Sequence, residues 1–223
     1  MIRLGLEVQS HFQNKRSSGV ICLRRAIILL YFMPDSHPEP EEPHYPERSI
    51  KIPSKLWSFE TGEPFRNCLV CSKDLISSDS LYFINKCFLD EETLFELAIC
   101  FRCHQQMRSE LSESSLNRIQ NYLEEFQMEQ GLDESFQGRS FEEQISQCII
   151  KQRAARSGEE LQIVAYCSGS HLLKNVPAMM LTWEAVQDLE RLLSKATRDV
   201  MDDFIERHLG PQPGAKRPKW MPV

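Results

Sequence analysis

Two patterns of hydrophobic and polar residues along the chain predict strands. From Ser80 to Phe88 aromatic and β-branched residues dominate, Leu89–Thr93 is mostly polar, and Leu94–Ile99 is apolar again. This order predicts a β-hairpin with a loop of about four or five residues. Further along, residues 161–167 predict a strand with Leu161, Ile163, Ala165 and Cys167 on one side, and Ala178–Leu181 predicts a short partner strand.

A helical period follows the hairpin. Ser112 is placed as a helix N-cap, with Leu111 before it and Leu116 at the fourth helical position, which is the arrangement of a hydrophobic staple. Apolar residues then recur at spacings of three and four. They are Leu116, Ile119, Leu123 and Phe126. We expect this face of the helix to lie in the core.

The last periodic stretch predicts one long helix that begins after Thr182 and ends before Gly210. Its apolar stripe would be about five turns long. The stripe consists of Val186, Leu189, Leu193, Ala196, Val200 and Phe204. Ser194 or Thr197 is the point where the helix could be interrupted, because both side chains compete for local backbone hydrogen bonds.

Composition and proline content divide the chain. Its 223 residues are 41% hydrophobic and 26% charged, which is typical of globular proteins. Residues 1–55 are expected to be a disordered or mis-started extension followed by a proline-rich linker, with six prolines between positions 34 and 53. We expect a zinc module with its following helix at 56–130, a strand and long-helix block at 131–210, and a flexible tail at 211–223.

The first 32 residues differ from the rest in charge, with five bases and one acid. Their apolar run, Ala26–Phe32, is far shorter than the roughly 20 residues needed to span a bilayer, and no small-residue cleavage site follows it. Neither secretion nor a membrane anchor is therefore expected. We expect Met33 to be the true start, and the alternative is that residues 1–32 form a genuine basic extension.

The strongest chemical signal is a pair of equal cysteine spacings. Cys68-Leu-Val-Cys71 and Cys100-Phe-Arg-Cys103 are separated by residues 72–99. Zn²⁺ prefers four thiolate or imidazole ligands in a tetrahedron, and a two-residue spacing lets the backbone aim both sulfurs at one ion. We therefore expect one structural zinc ion per chain, bound by Cys68, Cys71, Cys100 and Cys103.

Other sulfur and imidazole groups offer weaker alternatives. His104 could replace the adjacent Cys103 as a ligand, and Cys148, Cys167 and His171 could form a second site if strand and loop converge. Cys87 falls in the middle of a predicted strand and is expected to be a small core residue. Cysteines outside the two pairs follow no regular disulfide framework, which favours a reducing, cytoplasmic location.

The order of these elements resembles the treble-clef zinc domains, over residues 68–128: a cysteine knuckle, a hairpin, and a second cysteine pair where a helix starts. The gap between the pairs exceeds the roughly 15 to 20 residues expected for a zinc ribbon. A wider pattern, with Tyr-Cys-Ser-Gly and Leu-Ser-Lys-Ala-Thr-Arg-Asp further on, resembles an uncharacterised group of bacterial zinc-binding proteins over most of 65–210. The expected fold class is α+β: a zinc-bound hairpin plus helix, followed by the strand and long-helix block.

A closed shell of four thiolates leaves no coordination position for water or substrate, so a non-catalytic module that contacts other proteins is the leading interpretation. Nucleic-acid binding is the first alternative, but residues 59–128 contain twelve acids and six bases, whereas phosphate contact needs a positive surface. A thiol- or zinc-dependent enzyme is the second alternative. No Ser-His-Asp order, phosphate-binding glycine loop or His-Glu-x-x-His motif is present. The expected partner is a protein, with no membrane involved.

Overall fold

The hairpin and the C-terminal strands pair into one antiparallel sheet. The computed structural model describes residues 49–77, 80–130, 139–173 and 176–209. The expectations for Met33, the basic extension, most of the linker and the C-terminal tail lie outside these residues. Strands and helices within them are β1 (Ser49–Lys51), β2 (Leu81–Leu89), β3 (Glu92–Cys100), α1 (Phe101–Ser109), α2 (Glu113–Gln130), α3 (Phe141–Gln144), β4 (Glu160–Ser168), β5 (His171–Leu173), β6 (Met179–Thr182), α4 (Trp183–Arg191) and α5 (Lys195–Leu209).

The sheet is organised around β2 and β4, which pair along their whole length, from Leu81 opposite Ser168 to Leu89 opposite Glu160. On the outer side of β2 lies β3. The outer side of β4 is shared by β6, which pairs with its first half, and β5, which pairs with its end and in turn carries β1. The mixed α+β class expected from the sequence is confirmed, and the two predicted blocks share one sheet and one hydrophobic core.

The hairpin turn is tighter than its sequence predicts. Only Asp90 and Glu91 separate β2 from β3, so the expected loop of four or five residues is wrong. Asp90 adopts a φ of 53°, a left-handed conformation that Asp tolerates better than most residues. A β-bulge between Cys87 and Phe88 shifts the register next to the turn, which lets Thr93 pair as part of β3.

The stretch after Thr182 is not one continuous helix, because Leu192–Ser194 separate α4 from α5, and the break falls at Ser194, one of the two residues where the sequence allowed an interruption. Ser194 starts the second helix: its hydroxyl oxygen accepts the Thr197 N–H at 3.1 Å. The break changes the helical phase. Leu189 and Leu193 are buried as predicted, whereas Ala196 is exposed and the buried residues of α5 include Thr197 and Met201.

The other capping and pairing predictions fare better. Ser112 precedes α2, and its hydroxyl oxygen accepts the Ser115 N–H at 3.3 Å, which confirms the predicted N-cap. Ile119 and Leu123 lie in the core, as expected. The predicted strand at 161–167 and its short partner correspond to β4 and β6, but both faces of β4 are buried over residues 163–167 because helices and strands surround this central strand.

A buried ion pair fastens the segment before the cysteine knuckle to the hairpin. Lys86 of β2 lies opposite Glu96 of β3, with Nζ 3.0 Å from the Glu96 Oε2 atom and the lysine side chain 4% exposed. Lys86 also donates to the Trp57 carbonyl, while Ser58 Oγ and the Phe59 N–H donate to the Glu96 carboxylate. This arrangement satisfies two charges that would otherwise be costly to bury.

Candidate metal centre

The first cysteine pair lies on a tight backbone turn. The Cys68 N–H donates to the Lys73 carbonyl at 2.9 Å, and the Ser72 N–H donates back to the Cys68 carbonyl at 2.9 Å. Ser72 has a φ of 57°, and its carbonyl accepts the Asn67 side-chain amide at 3.1 Å. The chain therefore reverses immediately after Cys71, which directs Cys68 and Cys71 to the same side. We call residues 66–75 the first knuckle.

The first knuckle is attached to the end of β3 by two further bonds. The Leu69 N–H donates to the Ala98 carbonyl at 2.9 Å. The Cys100 N–H donates to the Cys68 sulfur at 3.3 Å. An N–H directed at a sulfur stabilises the thiolate, the form in which cysteine binds metal.

The second pair lies where β3 becomes α1. Cys100 ends the strand and is the N-cap residue of the helix, with φ −67° and ψ 153°, and Cys103 lies in the first helical turn. Placement at a helix N-terminus favours negative charge on both sulfurs, because the helix dipole is positive there.

All four sulfurs converge. The Sγ atoms of Cys68, Cys71, Cys100 and Cys103 lie within 4.8 Å of one another, and Cys71 Sγ is 3.7 Å from Cys100 Sγ. A tetrahedral Zn–S₄ centre with bonds of about 2.3 Å has S···S edges of about 3.8 Å. A disulfide would need about 2.05 Å. The four residues predicted from the spacing thus form one cluster with a geometry compatible with metal binding.

The cluster is mostly shielded from solvent, since Cys71 is exposed and the other three cysteines are buried. The Lys73 N–H that hydrogen-bonds Cys71 lowers the pKa of this thiol to about 7. Burial raises the pKa of the Cys100 and Cys103 thiols. Burial alone thus favours the protonated thiols of Cys100 and Cys103. A bound metal cation would favour the thiolates instead, because its positive charge stabilises the negative charge on the sulfurs.

Beside the cluster, a small groove of about 100 Å³ lies between α1 and α5. Its apolar lining is formed by Val70, Cys103, Met107, Val200 and Phe204. Polar side chains surround these apolar residues: Glu110 directly after α1, and Asp203, Arg207 and His208 on α5. Helical periodicity indicated that Phe204 would be buried, but no local pattern predicts that it lies near Cys103.

The alternative ligands are placed elsewhere. His104 is 1% exposed and packs with its ring centroid 5.2 Å from that of Phe83 and 6.1 Å from that of Phe101, so it is a core residue. Over the described ranges, the only grouping of metal-binding side chains is the four-cysteine cluster, and Cys148, Cys167 and His171 do not converge. Cys87 is fully buried in β2, as expected, but it is disulfide-bonded and not a free thiol.

The chain matches none of the models of protein families, none of the curated proteins and none of the solved structures with which it was compared. The resemblance to treble-clef domains therefore rests on the arrangement of the residues themselves.

Among the residues that the structure describes, no helix is both long and apolar enough to cross a bilayer.

Proposed function

We propose that this chain is a non-catalytic zinc protein with one structural ion, held by Cys68, Cys71, Cys100 and Cys103, and that it serves as a protein-interaction module. The observation that carries the proposal is the convergence of four sulfurs where the first knuckle, β3 and α1 meet. A knuckle, a hairpin and a helix start in this order also support a treble-clef-like arrangement.

The donor set favours zinc. Four thiolates in a tetrahedron suit Zn²⁺ or an iron–sulfur cluster, and they suit hard cations such as Mg²⁺ or Ca²⁺ poorly. The 3.7 Å separation of Cys71 Sγ and Cys100 Sγ fits a single ion of zinc's bond length. Elemental analysis distinguishes zinc from iron directly.

A structural role follows from where the sulfurs lie. They join a short turn to the start of a helix, so one ion would hold together two segments that are distant in sequence. Structural zinc sites contribute on the order of 10–16 kcal/mol of apparent binding free energy, comparable with the roughly 5–15 kcal/mol net stability of a whole domain. Four protein ligands leave no open position for a reacting water, which weakens the case for the enzyme alternative.

Hydrogen exchange with and without a strong chelator tests the structural role. We expect chelation to abolish protection in the first knuckle and in the first turns of α1. We expect smaller losses in β2, because β4 holds its other edge, and little change in α4, which serves as the internal control. Unchanged protection in the first knuckle, with loss of a measurable activity, would contradict the proposal and favour a catalytic ion.

The interaction role is supported by charge and by Phe59. The chain carries a net charge of −6, which opposes phosphate binding and so disfavours the nucleic-acid alternative. Phe59 is 76% exposed, and its backbone N–H is bonded to both oxygens of the Glu96 carboxylate, which holds the backbone that carries this aromatic side chain. Aromatic residues are common anchors in interfaces. We propose that Phe59 enters an apolar pocket of a partner protein.

Cross-linking and capture from native extract tests this surface. A partner captured by the native chain should be lost with Phe59→Ser and retained with the neighbouring Thr61→Ala. Both variants should keep native metal content and unfolding temperature, because neither side chain contacts the cysteine cluster. Equal capture by Phe59→Ser would refute the assignment of this surface, and capture of nucleic acid instead would favour the alternative class.

A further inference from the structure

The bond pattern of the first knuckle occurs a second time, at Cys148–Arg153. The Cys148 N–H donates to the Arg153 carbonyl at 2.8 Å, as the Cys68 N–H does to Lys73 at 2.9 Å. The Gln152 N–H returns to the Cys148 carbonyl at 2.8 Å, and Gln152 has a φ of 50°. Ser72 takes this place in the first knuckle, with a φ of 57°. We call residues 146–155 the second knuckle.

The attachment of the knuckle to strand and helix is repeated as well. The Ile149 N–H donates to the Met180 carbonyl at 2.9 Å, matching Leu69 and Ala98. The Thr182 N–H donates to the Cys148 sulfur at 3.4 Å, as Cys100 does to Cys68 at 3.3 Å. Thr182 ends β6 and is the N-cap residue of α4, the place that Cys100 takes between β3 and α1.

The helices that follow keep a constant offset in sequence. The first helices of the two copies, α1 and α4, begin at Phe101 and Trp183. The second helices, α2 and α5, begin at Glu113 and Lys195, which are the same number of residues apart. Both α1 and α4 are also equally long. The same offset relates Ser112 to Ser194 and Ser115 to Thr197. In each cap the hydroxyl of the first residue accepts the backbone N–H of the second.

The strands correspond in length and register. Both β2 and β4 have the same length, and each is followed by a residue with positive φ: Asp90 at 53° and Gly169 at 51°. Tyr82 pairs with Cys100 in the first hairpin, and its counterpart Leu161 pairs with Thr182 in the second. The offset between the strands is slightly smaller than that between the helices. The additional residues of the second copy fall in its return strand, which is split into β5 and β6, whereas the segment between its knuckle and β4 is one residue shorter than its counterpart.

The two copies are related by an approximate twofold axis. Asn85 and Val164 occupy the same position in β2 and β4 and so are counterparts, and they lie directly opposite each other where these strands pair. Counterparts that pair with each other in an antiparallel ladder require a twofold axis through that pair. The last helices follow this symmetry. Phe204 of α5 lines the groove beside the first knuckle, while its counterpart Tyr122 of α2 lies near Lys151 and Cys148 of the second.

We infer that residues 66–130 and 146–209 are two copies of one knuckle–hairpin–helix–helix unit, and that the second copy contains a degenerate metal site. The positions of Cys68, Cys71, Cys100 and Cys103 correspond to Cys148, Lys151, Thr182 and Ala185. One ligand is therefore retained, at the position where the backbone N–H groups of Lys151 and Thr182 still point at its sulfur. This inference rests on backbone geometry and is independent of the interaction role proposed above.

Ion pairs now join the elements that a metal would join. Lys151, in place of the second cysteine, bonds to Asp188 of α4, and its Nζ lies 3.6 Å from the Glu184 carboxylate. Arg153 bonds to Glu184 as well, at 3.0 Å. The counterparts of Glu184 and Asp188 in the first copy are Arg102 and Gln106, which carry no negative charge. Ion pairs between the second knuckle and the following helix thus take the place of the link that a metal ion would make.

Restoring the missing sulfurs tests the inference. In the full chain, Lys151→Cys, Thr182→Cys and Ala185→Cys together place four thiols in the second copy with the geometry of the first. We expect zinc content to rise by one equivalent per chain over the native protein. In a Co²⁺ titration, the sulfur-to-metal charge-transfer band should double in intensity, because both centres would be tetrahedral with four thiolates. The test measures the additional zinc bound by the variant relative to the native protein. Its outcome is therefore independent of whether the zinc of the native chain has a structural role.

A control adds three thiols to the same elements in other directions: Gln152→Cys, Glu184→Cys and Gln187→Cys. Its metal content should stay at the native value. If the triple variant folds poorly, the double variant Lys151→Cys with Ala185→Cys decides, since it leaves the fully buried Thr182 unchanged and adds only a thiol at Ala185. It should take up a second equivalent with a three-sulfur signature. Failure of both variants to bind additional metal, or equal uptake by the control, would overturn the inference.

Discussion

The hydroxyl oxygens of Ser112 and Ser194 lie 2.8 Å apart, where the N-termini of α2 and α5 meet. Each serine caps its own helix and also donates its backbone N–H to the other helix: Ser112 to Thr197 Oγ1 at 3.1 Å, and Ser194 to Ser115 Oγ at 2.8 Å. Ser115 and Thr197 are fully buried. The two helix starts therefore satisfy each other's polar groups inside the protein, where an unpaired hydroxyl would be costly.

A double-mutant cycle measures this mutual capping. Ser112→Ala and Ser194→Ala should each lower the free energy of unfolding by about 1–2 kcal/mol, the range for a lost N-cap. Because the two hydroxyls share partners, the double variant should lose less than the sum, with a coupling of at least about 0.5 kcal/mol in urea unfolding.

A distant cap supplies the control for this cycle. Ser140 forms a separate capping box with Glu143 at the start of α3. Ser112→Ala combined with Ser140→Ala should be additive. Additivity of Ser112→Ala and Ser194→Ala would show that the two helix starts are energetically independent.

The Lys86–Glu96 pair predicts a pH-dependent stability difference. Burial alone would raise the pKa of the Glu96 carboxyl, but hydrogen bonds from the Phe59 N–H, Lys86 and Ser58 outweigh it and hold the pKa below its ordinary value. The ionised carboxylate therefore stabilises the folded state above the unfolded pKa of about 4.3, and this stabilisation is lost as the pH falls through the lower, folded value.

Glu96→Gln should consequently cost about 3 kcal/mol at pH 7, because it leaves the Lys86 charge buried without its partner. In urea unfolding of the native chain and of Glu96→Gln, the difference between their free energies of unfolding should shrink from pH 5 to pH 3. Any acid release of metal would affect both chains alike. Lys86→Met added to Glu96→Gln should recover part of the loss. A difference that does not change with pH would mean that Glu96 acts through its shape and not its charge.

Equivalent cysteines of the two copies should differ in their effect on metal content. Cys68→Ser removes one proposed ligand and should abolish zinc retention in elemental analysis. Cys148→Ser changes the counterpart in the second copy. Among the described residues, Cys148 is not part of a four-cysteine cluster, so this variant should keep one zinc per chain. Both thiols are buried, so comparable destabilisation of the apo chains controls for packing. Zinc loss from both variants would place the ligands elsewhere.

Aspartate substitutions test the break between α4 and α5. Leu189 is fully buried, and Leu189→Asp should cost more than about 4 kcal/mol and unfold the C-terminal half, because an uncompensated charge enters the core. Ala196 would lie on the same apolar stripe if the helix were continuous, but it is exposed in the first turn of α5. Ala196→Asp should therefore be neutral or slightly stabilising, since an acid suits a helix N-terminus. Circular dichroism and urea unfolding compare the two variants, and comparable damage from both would argue for one continuous helix.

Local chemistry in the sequence determined a large part of this protein. The equal spacing in Cys68–Cys71 and Cys100–Cys103 predicted which four sulfurs meet, because a two-residue spacing and a helix start constrain nearby backbone. Ser112 could be identified as a cap for the same reason: its partner, the Ser115 N–H, is three residues away. Interactions between residues that are close in the chain can therefore be predicted from the local sequence.

Tertiary structure alone decided what depends on distant residues. Residues on both faces of the central strand β4 are buried, which its alternation did not indicate. The sequence offered Ser194 or Thr197 as the break in the last helix, and Ser194 starts the new helix partly because its N–H and hydroxyl meet Ser115 and Ser112. The repeat is hidden in the sequence, since Lys151, Thr182 and Ala185 no longer resemble the cysteines to which they correspond. Backbone hydrogen bonds can persist after the side chains that once required them have changed, so the copy is visible in the fold and not in the residue types.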